Sequence, residues 1–158
     1  MRRTAALALT GILLTGCAVV HKGDVQPGDV EKKAHTLVQQ TLTAVRPVTG
    51  SARTKVFDQG WARCSTEEPG QHRFDYTYFV TVPVAGTRMR NVVTAARADF
   101  RRRGYTDEYV PQPDTGAVAA PPKSNWRITV DAGKGATVLL GVDSDCVFTR
   151  HDPEVKRS

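Results

Sequence analysis

The sequence predicts an α+β domain in which two helices pack on one face of an antiparallel sheet of four or five strands. Two stretches place apolar residues three and four positions apart, the spacing of a helix with one buried face. Several others alternate apolar with polar side chains, as strands with one face in a core do. The strands come in pairs joined by turns, which makes each pair antiparallel, since parallel neighbours need a crossover of a dozen residues or more. The order helix, strand, strand, helix, strand, strand is also compatible with two similar αββ halves around one sheet.

Asp29 is a plausible N-cap for the first helix. Ala34, Leu37, Val38, Thr41, Leu42 and Val45 carry its apolar face, and Arg46-Pro47 is expected to end it. After a connection at 48–53, residues 54–64 read as a strand with an irregularity at Gly60. Glu67-Glu68-Pro69-Gly70 is a turn. Residues 72–82 alternate most clearly, with Phe74, Tyr76, Tyr78, Val80 and Val82 on one face and Arg73, Asp75, Thr77, Phe79 and Thr81 on the other.

The second helix is expected from Thr87 to Arg103, with Met89, Val92, Val93, Ala96 and Phe100 as its stripe and Gly104 closing the end. Arg101, Arg102 and Arg103 lie where cations favour the helix dipole, by about 0.3–1 kcal/mol each. Tyr105 to Val110 enters a third strand. Residues 111–123, with four prolines, read as an exposed irregular loop. Trp126, Ile128 and Val130 alternate into a fourth strand, and the turn Asp131 to Gly135 leads into a fifth with Val138, Leu140 and Val142. Cys146 and Phe148 extend or follow that strand, and residues 150–158 are polar enough to form a loose tail.

The N-terminus carries an address. Arg2 and Arg3 precede an uncharged run from Thr4 to Thr15, followed by Gly16 and Cys17, which is a secretory signal layout. About a dozen apolar residues fall short of the roughly 20 that a membrane span requires. Leu14-Thr15-Gly16-Cys17 resembles the lipobox of bacterial lipoproteins. The resemblance implies that residues 1–16 are a signal peptide and that the Cys17 thiol takes diacylglycerol and becomes the first mature residue. It further implies a fatty-acylated, palmitate-bearing N-terminus on the extracytoplasmic face of the cell membrane, held stably by two or more acyl chains. Residues 17–28 then form a tether spanning on the order of 20 Å, and residues 29–149 one domain. With Cys17 taken by lipid, Cys64 and Cys146 are left to pair in an oxidising compartment, and the bridge constrains the unfolded chain by about 4 kcal/mol.

Without residues 1–16 the chain keeps 142 of its 158 residues, with 20 basic and 16 acidic side chains and a net charge of about +4. A mildly basic domain outside the cytoplasm is poorly suited to nucleic acid. Anionic lipid, wall polymer or an envelope protein is the expected partner besides the membrane itself. No GxSxG, HExxH, phosphate-binding loop or GxGxxG motif occurs. The four histidines are scattered, no CxxC is present, and neither a metal site nor a cofactor is expected. Asp143-Ser144-Asp145 offers oxygens to calcium but reads better as a solvated strand end.

Two surfaces invite a functional reading. Arg90, Arg97 and Arg101 fall at i, i+7 and i+11, opposite the apolar stripe, and form a basic face for anionic head groups or polymer; an ordinary solvated face is the simpler reading. Trp61, Phe74, Tyr76, Tyr78 and Trp126 are candidates to line a lipid or aromatic pocket, although supplying the core is the commoner role. The first helix, Trp61-x-x-Cys64, the arginine-rich helix ending at Arg103-Gly104-Tyr105 and the last strand with Cys146 are together similar to small LppA-like actinobacterial lipoproteins. That similarity brings no catalytic motif, and Cys17 is the one residue whose role it carries over. The expectation is a non-enzymatic binding module. An envelope-acting enzyme with a site assembled by tertiary contact, or a small apolar-ligand carrier, is the alternative.

Overall fold

The structure, a computed structural model, describes residues 23, 25–50, 53–64, 73–133 and 136–155. Helix α1 spans Pro27–Thr49 and α2 Met89–Arg102, the latter entered through a short 3-10 turn at Gly86–Arg88. The strands are β1 (Lys55–Arg63), β2 (Arg73–Pro83), β3 (Thr106–Asp107), β4 (Gly116–Ala120), β5 (Trp126–Asp131), β6 (Thr137–Ser144) and β7 (Val147–Phe148). They form one sheet in the order β1-β2-β6-β5-β4-β3, with β7 continuing the β6 side of β2. Every strand pairing is antiparallel.

The alternation of β2 decides where the core sits. Phe74, Tyr76, Tyr78, Val80 and Val82 are buried on the helix side, while the intervening residues are half-buried on the outer side. Val138, Leu140 and Val142 of β6 and Ile128 and Val130 of β5 continue the inner layer. Against it α1 sets Val30, Ala34, Leu37, Val38 and Val45, and α2 sets Val92, Val93, Ala96 and Phe100. The end of α2 is a Schellman closure: Gly104 adopts φ +69°, its N–H donates to Arg101 O, and the Tyr105 N–H donates to Phe100 O. Tyr105 then lies over the Phe100 ring, 6.0 Å between centroids.

Several boundaries depart from expectation. Helix α1 begins at Pro27, not after an Asp29 cap, because proline at the first helical position gives up an N–H that would be unsatisfied anyway. It also runs past Arg46-Pro47 to Thr49. So close to the end Pro47 forfeits only one backbone bond, and Gly50 at φ +70° closes the helix on Arg46 O. In β1 the irregularity lies at Phe57, between Val56 and Asp58, whereas Gly60 pairs in register with Thr77. The third strand is two residues long, and the stretch expected as a loop at 111–123 contains β4. Among the described residues the sheet therefore has seven strands. The hairpins β1–β2 and β5–β6 meet through β2 and β6, and β3–β4 is an extra hairpin inserted into the second half.

The tail expected to be loose is held as far as Val155, which bridges Trp61 on the open edge of β1, with Asp152 3.5 Å from Arg63. An edge strand so covered, and bulged at Phe57, is a poor template for stray pairing. The expected tether is likewise shorter than 17–28: Val25 pairs in parallel with Thr149, and the Arg150 N–H donates to Val25 O.

Candidate functional surface

Cys64 and Cys146 are joined, with Cα atoms 6.2 Å apart across 82 positions of sequence. The bridge joins the residue that follows β1 to the break between β6 and β7. At that break the Tyr76 N–H donates to the Ser144 hydroxyl in place of a backbone partner. Leu14 to Cys17 lie outside the described residues.

The arginines of α2 do not share one fate. Arg97 is half-buried and donates to the carbonyl of Gly116, tying the helix to β4 at 2.8 Å. Arg90 lies 3.5 Å from Asp114 and Arg101 3.6 Å from Asp107, both exposed pairs of small energetic value. Sequence reasoning missed Asp99, a carboxylate only 2% exposed that is bonded by Arg102 and, at 2.7 Å, by Arg103. Arg103 also donates to Gln40 of α1. Burial works against the Arg103 charge, yet the bonds and attraction of Asp99 and Tyr105 together outweigh it and raise the pKa. The cluster after Phe100 is thus a clamp between the two helices. An acid inside an apolar stripe, three and four residues before two arginines, was the signal for it.

Four of the five aromatics singled out in the sequence are core. Trp61, Phe74, Tyr76 and Tyr78 are buried, Trp61 donating to Glu31 at 2.8 Å and Tyr78 stacking under His35 at 4.0 Å. The Tyr76 hydroxyl lies beside Gln59 and completes no hydrogen bond of normal geometry. Burial raises its pKa.

Trp126 is the exception. Half-buried at the start of β5, it forms one wall of a groove of about 410 Å³ with Val25, Val30 and Val147. Lys33, Lys123 and Asp29 stand at its polar margin. Lys123 adopts φ +54°, a left-handed conformation rare for a residue with a side chain. Among the described residues neither lysine forms an ion pair.

On the outer side of the sheet, Asp143 sits near Arg127 and Asp75. Burial foremost, then Asp75, raises its pKa against the pull of Arg127. Ser144 is occupied by the Tyr76 N–H, so the Asp143-Ser144-Asp145 run does not present three oxygens to one point. Among the described residues no three histidine, cysteine or acidic side chains gather as metal ligands would. Compared with protein-family models, curated proteins and solved structures, the chain matches none of them.

Proposed function

We propose that this chain is a lipoprotein anchored through Cys17 on the extracytoplasmic face of the cell membrane, of the small LppA-like kind, and that its domain is a binding module. The observation that carries the reading is the Cys64–Cys146 bridge. It uses the two domain cysteines, belongs to an oxidising compartment, and leaves Cys17 as the one thiol next to a signal-like leader. Binding is favoured over chemistry by shape. Among the described residues the helix–sheet interface is filled by Tyr76, Tyr78 and their neighbours, which argues against an apolar chamber there for a carried ligand. The depressions at Trp126 and along α1 from Lys32 to Thr43 are open surface grooves rather than deep pockets with converging polar groups.

The test is the Cys17→Ala variant of the full chain. It is expected to lose the acyl mass and to leave the membrane fraction. A variant that stays on the membrane without acyl mass would overturn the anchor.

A further inference from the structure

We propose that the Trp126 groove docks the domain onto a bilayer containing anionic phospholipid, with Trp126 at head-group level and Lys33 and Lys123 against phosphate. The inference rests on the lipid anchor and adds the surface that faces the membrane. The path of the chain comes first. Val25 is fixed to the sheet by its pairing with Thr149 and the bond from Arg150. Seven residues lie between it and Cys17, so the eight residue-to-residue steps reach at most about 28 Å even when fully extended. The end of the domain that carries Val25 is therefore the end held nearest the lipid, and Val25 itself lines the groove.

The chemistry of the groove suits that position. A half-buried tryptophan beside exposed apolar surface is what the head-group boundary favours, since one side of the ring is apolar and its N–H is polar. Val25, 37% exposed, extends the apolar side. Charge complementarity distinguishes this end from the α2 face. There Arg90 and Arg101 already face Asp114 and Asp107, whereas Lys33 and Lys123 hold no carboxylate among the described residues. Asp29, the acid in the groove, lies in the first turn of α1, where the helix dipole favours its charge. The backbone of Lys123 is a further sign. A glycine would fit φ +54° at lower cost, yet the position holds a long cation at the groove margin. Each lysine at an anionic surface contributes on the order of fivefold to partitioning.

The acylated full-length protein, reconstituted into phosphatidylcholine vesicles with brominated chains, with or without phosphatidylglycerol, reports the contact through tryptophan quenching. Trp61 is buried and bonded to Glu31, so Trp126 supplies the change. Quenching is expected with phosphatidylglycerol, lost in Trp126→Phe, and reduced at least several-fold in Lys33→Glu/Lys123→Glu or at high salt. Equal quenching in neutral vesicles, none in anionic ones, or no effect of the double reversal would overturn the docking. So would a photocrosslink from position 123 that goes to protein rather than lipid. Mass spectrometry of the same sample separates the two ideas. Acylated protein without quenching overturns docking alone, and quenching without an acyl group overturns the anchor alone.

Discussion

Strand β2 shows two surfaces made from the same 11 residues. Its inner face, Phe74 to Val82 at every second position, is sealed on the side where α1 packs, and even the Tyr76 and Tyr78 rings are nearly inaccessible. Its outer face carries Arg73, Asp75, Thr77 and Thr81 and one large apolar group, Phe79, whose ring lies on Gly141 of β6. A Cβ at Gly141 would fall 2.3 Å from Phe79 Cδ1. The inner face is held by volume, where every side chain fills space that another would otherwise leave empty. The outer face is held by local pairings, one ring over one glycine and one arginine among acids. The domain is thus stabilised from one side of its sheet, and the other side tolerates the half-solvated carboxylates that an interior would reject.

The sharpest way to break this contrast is to truncate one aromatic on each side. Phe74→Ala removes a fully buried ring, and urea unfolding of the oxidised protein should show a loss of about 3–5 kcal/mol. Phe79→Ala removes a half-buried ring that no helix covers, and the expected loss is about 1 kcal/mol. Equal losses would mean that the outer face is covered in solution.

A smaller effect of opposite sign is expected at Tyr76. Its hydroxyl pays for burial without a bond of normal geometry, so Tyr76→Phe keeps the ring and should stabilise by about 1 kcal/mol. A loss of similar size would show that the hydroxyl is satisfied, by Gln59 or by water, and that the inner face contains a polar bond.

The same contrast explains what was legible in the sequence. The inner face of β2, the stripe of α2 with its Gly104 closure, the β5–β6 hairpin and the cysteine pair all follow from periodicity or counting, which are local properties of the chain. Strand β4 does not. Gly116-Ala117-Val118-Ala119-Ala120, following Pro111 and Pro113, has little strand preference, and it becomes a strand because β5 offers it a partner and because alanines fit beneath α2. Missing β4 also misplaced Arg97. On the helix it shares a face with Arg90 and Arg101, but β4 lies against that face and accepts its hydrogen bond. The groove was hidden for a related reason. Lys33 and Lys123 are distant in sequence and meet only where the start of α1 docks beside the start of β5.

The smallest expected effect tests the outer face by charge rather than volume. Asp143 titrates above the ordinary 3.8 because it is partly buried and faces Asp75, with Arg127 only partly compensating. A carboxyl whose pKa is raised in the folded state binds its proton more tightly there than in the unfolded chain. Protonation therefore favours folding, and the ionised form carries a cost that is complete above the folded pKa and vanishes below the unfolded one. Asp143→Asn removes that cost, so at pH 7 its Tm should rise by on the order of 1–2 °C. The gain should close as the pH falls toward and below about 4, where the wild-type group is protonated in both states. A variant less stable than wild type at pH 7 would mean that the Arg127 pairing outweighs burial. The outer face would then be held by an ion pair rather than merely tolerating its carboxylates.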